Sequence, residues 1–142
     1  MLLKLKPIKP IDLAMLDRPS SPNTYLACPK GFSAAKPDQE APIFAQPISK
    51  LVSAWTKVVV VLPRMTEIKA LSTDIPQLTY VQRSALMGYP DTLTVQFIDL
   101  ADDISSVALY SCSQYGYYDI GVNKRRVKHC LQQLGTVMAN YH

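Results

Sequence analysis

The spacing of hydrophobic residues changes along this chain, and each change marks a different kind of element. Between residues 48 and 62 the apolar positions recur at intervals of three and four. They are Ile48, Leu51, Val52, Trp55, Val58, Val59 and Leu62. Because residues with this spacing share one face of a helix, the pattern predicts an amphipathic helix. Pro47 suits its first turn, and Pro63 ends it.

Residues 65 to 115 contain four segments typical of strands. The clearest one alternates Leu93, Val95 and Phe97 with polar residues, as expected of a strand with one buried face. The predicted strands are Met65–Leu71, Thr79–Met87, Thr92–Leu100 and Ile104–Tyr115. Because the connections between them are short, we expect neighbouring strands to pair in the antiparallel sense.

A second helix is predicted from Val122 to Asn140, with Asn123 as its N-cap. Its apolar stripe consists of Val127, Cys130, Leu131, Leu134, Val137, Met138 and Tyr141. The order of elements is then α-β-β-β-β-α. We therefore expect an α+β fold in which a four-stranded antiparallel sheet packs against two helices.

The N-terminal third is expected to be irregular. Eight of the eleven prolines lie in residues 1–47. Proline fixes φ and donates no backbone hydrogen bond, so this density disfavours long helices and central strands. We expect a Pro-rich arm over residues 1–46, with at most a short helical turn at Asp12–Leu16. The arm would pack on an α+β domain of residues 47–142, as one domain overall.

The charge of the chain is concentrated at the start of the last helix. The net charge is +4, and residues 121–142 alone contain four basic and no acidic residues. The four are Lys124, Arg125, Arg126 and Lys128. A helix N-terminus carries a partial positive charge, which disfavours each nearby cation by roughly 0.3–1 kcal/mol. A buried acid, a bound anion or a partner surface must offset this cost.

A bound anion is one solution. Backbone N–H groups at a helix start bind anions, and arginine binds carboxylate or phosphate through two parallel hydrogen bonds. The predicted anion-binding residues are Arg83, Gly121, Asn123, Lys124, Arg125 and Arg126. The structural alternative is that Asp91 and Asp119 pair with these arginines and fix the junction between strand and helix. The sequence leaves both interpretations open.

Catalytic and metal sites have little support in the sequence. The three cysteines, Cys28, Cys112 and Cys130, lack CxxC spacing, and both histidines lie near the C-terminus. We therefore expect no metal and no cofactor, and we assign no catalytic residue. Phosphate-loop, dinucleotide and HExxH motifs are absent from the sequence. A hydrolase that uses a Ser or Cys within residues 111–113 remains an alternative.

The sequence indicates which classes of partner and which cellular location to expect. Tyrosines near the basic block could stack on bases, but no RNA-recognition pattern accompanies them, so we do not expect nucleic-acid binding. The longest apolar run, Val58–Leu62, is far shorter than the ~20 residues of a membrane-spanning helix. Residues 1–7 lack the apolar core of a signal peptide, so we expect a cytoplasmic protein. A second alternative places Lys4, Lys6, Lys9 and the basic helix on an anionic membrane surface.

Two segments contain motifs that occur together in a known family. Tyr80–Asp91 contains an Arg-Ser pair before a Gly-Tyr-Pro-Asp turn. Ser111–Val127 contains Asp-x-Gly-x-Asn followed by a pair of arginines. With the Pro22-Asn23 element, these motifs resemble the bacterial and plant family catalogued as domain of unknown function 1499, over roughly residues 20–140.

The resemblance also shows departures from the family pattern. Gln114 stands where the family usually has Arg, and Thr24 stands where a Cys is common after Pro-Asn. The family carries no described activity. The resemblance therefore implies a fold and the boundaries of the domain, but no reaction. We therefore expect a small non-catalytic binding or accessory module, whose partner is an anionic small molecule or an acidic protein.

Overall fold

Two helices lie on one face of a mixed sheet in this computed structural model, which describes residues 3–69 and 75–141. The helices are α1, Ile48–Val59, and α2, Val122–Ala139. The strands are β1, Thr24–Cys28; β2, Gln39–Glu40; β3, Met65–Glu67; β4, Gln77–Arg83; β5, Pro90–Ala101; and β6, Ile104–Ser113. A single turn of 3-10 helix at Leu13–Met15 precedes them. The predicted α+β class is confirmed.

The prediction of four strands was wrong, because the sheet has six in the described part of the chain. The two additional strands come from the segment predicted to be irregular. β1 pairs antiparallel with β6, with Thr24 opposite Cys112, and β2 pairs parallel with β1. Residues 23–28 contain no proline, and this window is long enough for a central strand. The proline density of the whole segment concealed it.

The spatial order of the strands is β2-β1-β6-β5-β4-β3. Pairing from β3 to β6 is antiparallel throughout, as the short connections predicted. Some of the predicted strands were longer than the observed ones. β4 ends at Arg83 because the Gly88 N–H bonds to the Ser84 carbonyl and closes a turn. The predicted strand Met65–Leu71 forms β3 only to Glu67, and its last residues lie outside the described chain.

The main core lies between the helices and the sheet. Trp55 of α1 is fully buried, and its indole N–H donates to the Tyr80 hydroxyl at 2.9 Å. Other fully buried core residues are Leu51, Leu93, Val95, Val107, Leu109, Val127 and Leu134. Removing side chains of this size from water contributes roughly 1.5–3 kcal/mol each. These residues hold α2 against the sheet and thereby fix the position of its first turn.

The second face of the sheet is covered by the N-terminal segment. Leu13 is fully buried against Leu26, Ala108 and Tyr110. The Gln77 side chain also bonds to both the N–H and the carbonyl of Ile11, at 3.3 and 2.7 Å. Residues 3–16 therefore cross this face as an ordered strap.

Three of the loops at one end of the sheet are neighbours, and the segment that leads into β1 lies at the same end. Met65 is opposite Gln82, Arg83 is opposite Pro90, and Asp91 is opposite Ser113. The loops that connect these strand ends to the rest of the chain must therefore be neighbours. We call this the loop end, and it consists of residues 60–64, 84–89 and 114–121. The turn between β5 and β6 lies at the opposite end.

Candidate functional site

The Arg126 side chain lies between α2 and the sheet and uses three of its nitrogens. Nη2 bonds to Asp91 Oδ2 at 2.8 Å, in an ion pair whose side chains are only 8% and 9% exposed. Nη1 donates to Asn123 Oδ1 at 2.8 Å and to Ser111 Oγ at 3.0 Å. Nε donates to Gln82 Oε1. This buried cation is thus paired with a carboxylate and with three neutral oxygens.

Three adjacent strands supply three of the four acceptors for Arg126. Gln82 of β4 is directly opposite Asp91 of β5, and Ser111 lies on the neighbouring strand β6. All three side chains contact the first turns of α2 on the face that carries the core. A buried ion pair is stable only when further hydrogen bonds replace the lost water, and this register provides them.

Asp119 binds the start of α2 from outside the helix. Its Oδ1 accepts from the Gly121 N–H at 3.0 Å, and its Oδ2 accepts from the Asn123 N–H at 3.0 Å. The N-cap residue is Gly121, with a left-handed φ of +78°, so the prediction of Asn123 as the N-cap was wrong. The Asp119 side chain instead accepts the hydrogen bonds that an N-cap side chain would accept, because the left-handed turn at Gly121 brings it back toward the helix.

The pKa of Asp119 reflects these contacts. Burial acts to raise the pKa of this carboxyl, but hydrogen bonds from Asn123 and Gly121 outweigh burial and lower it below its ordinary value. Asp119 is therefore an anion at neutral pH. It supplies to the first turn of α2 the negative charge that the helix dipole favours.

Asn123 links this cap to the Arg126 network. It is fully buried, and the two hydrogens of its Nδ2 are shared among three acceptors: Asp119 Oδ2 at 2.6 Å, Ser113 Oγ at 2.9 Å and the Asn23 carbonyl at 3.0 Å. Its Oδ1 accepts from Ser111 Oγ at 2.6 Å. One amide thus connects the residue that precedes β1 with β6 and α2, and its position depends on all three.

The residues of the predicted anion site do not lie together. Arg126 and Asn123 are buried in the network, whereas Lys124 and Arg125 are exposed on α2. Arg83 lies on the other face of the sheet, because neighbouring strand residues alternate between faces. Its Nη1 donates to the carbonyls of Leu3 and Gly88, both at 2.8 Å. Arg83 therefore holds the N-terminal strap and the turn of residues 84–89.

The exposed cations of α2 have no acidic partner in the described chain. The ion pairs there are Arg126 with Asp91 and Arg18 with Asp38. The Arg125 guanidinium donates to the Ile120 carbonyl, at 3.0 Å. The charge of Lys124 and Arg125 is therefore available to a partner.

The sequence interpretation missed the apolar side chains of the loop end. Val60 and Val61 were placed in the last turn of α1, and Leu86 in a strand, yet all three are exposed in loops. Ile120 is exposed as well, and its φ is +54°. A left-handed backbone costs an L-residue roughly 1–2 kcal/mol, and a β-branched side chain is rare there. The sequence did contain a signal for these exposed side chains, because the apolar residues lie beside turn-forming Gly and Pro.

The hydrolase alternative requires an activated nucleophile, and the surroundings of Ser111 and Cys112 activate neither side chain. The Ser111 hydroxyl is buried and donates to an amide oxygen. Burial raises the pKa of the Cys112 thiol, although a hydrogen bond with Thr92 at 3.0 Å opposes this effect. Cys112 is therefore a protonated thiol at neutral pH, and protonated thiols are weak nucleophiles.

Three other features of the described chain bear on the binding of metals, ligands or membranes. No group of three or more His, Cys, Asp and Glu side chains among the described residues is arranged to hold a metal ion. A cleft of about 690 Å³ lies between the strap and the second face of the sheet, lined in part by Ile11, Leu16, Tyr110 and Cys112. Neither helix of the described chain is long and apolar enough to cross a membrane.

The motif residues that suggested a family occupy the buried network and the turn beside it. Asp119, Gly121, Asn123 and Arg126 build the start of α2, and Arg83 fixes the turn that ends at Asp91. No curated protein matches the chain. A family model matches residues 17–134, which extend from before β1 into the last turns of α2. The chain therefore belongs to the family described as Protein of unknown function (DUF1499).

Proposed function

We propose that the chain is a non-catalytic binding module that uses Lys124 and Arg125, at the start of α2, to bind an anionic partner. The observation that carries this proposal is that both side chains are exposed and have no ion pair in the described chain. The helix dipole disfavours cations at this position. An anion on the partner would remove that penalty and add charge-assisted hydrogen bonds.

The buried part of the basic cluster argues for binding on the surface of the module. Arg126 is already neutralised by Asp91, and the Asn123 N–H is already bonded to Asp119. An anion that entered this network would have to displace one of those carboxylates. The predicted set therefore divides by role: Gly121, Asn123 and Arg126 shape the helix start, and Lys124 and Arg125 contact the partner.

The distribution of charge supports the same orientation. Asp99, Asp102 and Asp103 are exposed at the turn between β5 and β6, which is the opposite end of the sheet. Lys4 and Lys6 are exposed beside the loop end, where the Lys6 ammonium lies over the Tyr115 ring. A molecule that has a cluster of cations at one end and an acidic turn at the other is oriented by an anionic partner during approach. Both an anionic small molecule and an acidic protein are compatible with this polarity.

The proposal can be tested by salt-dependent elution from immobilised heparin, used as a polyanionic probe. The variant Lys124→Gln/Arg125→Gln should elute at clearly lower salt than the unchanged chain. The matched control is Lys30→Gln/Lys50→Gln, which removes the same charge from residues near the opposite end of the sheet. It should elute close to the unchanged chain. Equal shifts for both variants would mean that only net charge matters, and the proposal would fail.

The melting temperature of Lys124→Gln/Arg125→Gln distinguishes weaker binding from a loss of folding. Removing two cations from the first turn of α2 relieves the unfavourable interaction with the helix dipole. The Arg125 bond to the Ile120 carbonyl is exposed and contributes little. We therefore expect the melting temperature to stay constant or rise, so that weaker binding cannot be attributed to unfolding.

A further inference from the structure

We infer that the loop end docks on an anionic lipid surface, with Ile120 as one of the side chains that enter it. This inference rests on the proposed function, because it names the partner that Lys124 and Arg125 would bind. It draws on observations that the proposed function does not use: the apolar side chains of the loops and the backbone conformation of Ile120.

All three loops at this end expose apolar or aromatic side chains to water. Their exposed fractions lie between 67% and 92%. The side chains are Val60, Val61, Leu86, Tyr117, Tyr118 and Ile120. Single exposed apolar residues are ordinary, but six from three loops at one end of a sheet indicate an interaction surface. At 92% exposure Leu86 has almost no contact with its own chain.

Ile120 is the most informative of these residues. Its left-handed backbone would suit Gly or Asn, and its side chain is 74% exposed, so packing within the chain does not compensate for the strain. Strained residues are retained where the surrounding structure and the function require them. The adjacent Gly121 is also left-handed, and the Arg125 guanidinium lies 3.2 Å from where its Cβ would be. Ile120 and Arg125 are therefore held side by side.

The charges of the loop end match an anionic surface. Arg64, Lys124 and Arg125 are exposed around the apolar side chains. Asp119 is the only acidic residue in the three loops, and its carboxylate is bonded to the start of α2. Together with Lys124 and Arg125 of the adjoining first turn of α2, Arg64 makes the exposed charge at this end positive, which complements a negatively charged leaflet.

A lipid surface fits this arrangement better than a protein partner. Aliphatic side chains at separate loop ends can enter the acyl boundary independently, without the matching shape that a protein interface requires. Tyrosine is favoured at the interface between headgroups and acyl chains, and two of the exposed side chains are Tyr117 and Tyr118. The cations behind them would then contact lipid phosphates.

The test is sedimentation of the full chain with phosphatidylcholine vesicles, with and without phosphatidylserine. The unchanged chain should bind the vesicles that contain phosphatidylserine, and high salt should weaken binding. Ile120→Asn should reduce vesicle affinity about fivefold or more, because it removes an inserted side chain. It should also keep or raise the melting temperature, since Asn adopts the left-handed conformation more easily. Opposite effects on binding and stability exclude a general loss of structure.

Ile43→Asn is the matched control, because Ile43 is 55% exposed and lies away from the loop end, next to the bridge between Phe44 and Ser105. Its vesicle affinity should equal that of the unchanged chain. If no vesicle binding occurs at low salt, or if Ile120→Asn binds as well as the unchanged chain, the inference is wrong. Heparin retention that depends on Lys124 and Arg125 without vesicle binding would leave the proposed function standing, with an anionic small molecule or an acidic protein as the partner.

Discussion

Arg126 and Arg125 are adjacent in the sequence but occupy opposite environments. The Arg126 guanidinium is buried beside Asp91, and the Arg125 guanidinium is exposed on α2. The difference follows from helical periodicity, because Asn123, Arg126 and Val127 face the sheet while Lys124 and Arg125 point away from it. The two arginines of one motif thus have separate roles, one structural and one proposed for binding.

Replacing Arg126 by Ala should lower the free energy of unfolding by about 3–5 kcal/mol, because Asp91 would remain buried without its partner. Urea unfolding monitored by the fluorescence of Trp55 measures this change. Arg125→Ala serves as the control and should change stability by less than about 0.5 kcal/mol, as expected for an exposed residue. If the two alanine variants were equally stable, the Arg126 network would not be a structural element.

At the scale of elements, helices and long strands were predictable, whereas the junctions between them were not. Apolar spacing identified α1, α2 and β5, because each buries one regular face. β1 escaped prediction because its residues alternate between two buried faces and lie among prolines, so neither period nor composition marked it. The start of α2 depends on Asn23, Gln82, Asp91 and Ser111, which are distant in sequence. Only the strand register brings these side chains together.

Leu26→Ala tests whether β1 is a full member of the sheet. Leu26 is completely buried against Leu13 and Ala108, so its truncation should cost about 2–5 kcal/mol. Leu86→Ala removes the same atoms from an exposed loop and should cost less than about 0.5 kcal/mol. Chemical denaturation of both variants provides the comparison. A small effect of Leu26→Ala would mean that the N-terminal third is an irregular arm after all.

The hydrogen bonds of Asp119 to the start of α2 should make the free energy of unfolding depend on pH in the acid range. The pKa of Asp119 is lowered in the folded chain, so its contribution is complete above the unfolded value of about 3.9 and is lost as pH falls through the lowered value. The stability difference between the unchanged chain and Asp119→Asn should therefore be largest at neutral pH and shrink below about pH 4. Denaturant unfolding at neutral pH and in acid measures it. A difference independent of pH would contradict the proposed charge interaction with the helix start.

At the scale of the whole molecule, the sheet separates a positive end from a negative one. The apolar side chains of the loop end and the cations beside them at the start of α2 lie opposite the acidic turn between β5 and β6. Net charge alone, at +4, did not reveal this polarity. It arises because antiparallel strands return each connection to the same two ends, so that loops far apart in sequence become neighbours.

The order of the strands also determines how the chain can meet other chains. The longest strands, β5 and β6, are central, whereas the edge strands β2 and β3 contain two and three residues in the described chain. Short edges offer few unpaired backbone groups, which limits the addition of a foreign strand and the growth of aggregates. Recognition by strand addition is therefore disfavoured for this molecule. Contacts with a partner are instead expected to be made by side chains, such as those of the loop end and the start of α2.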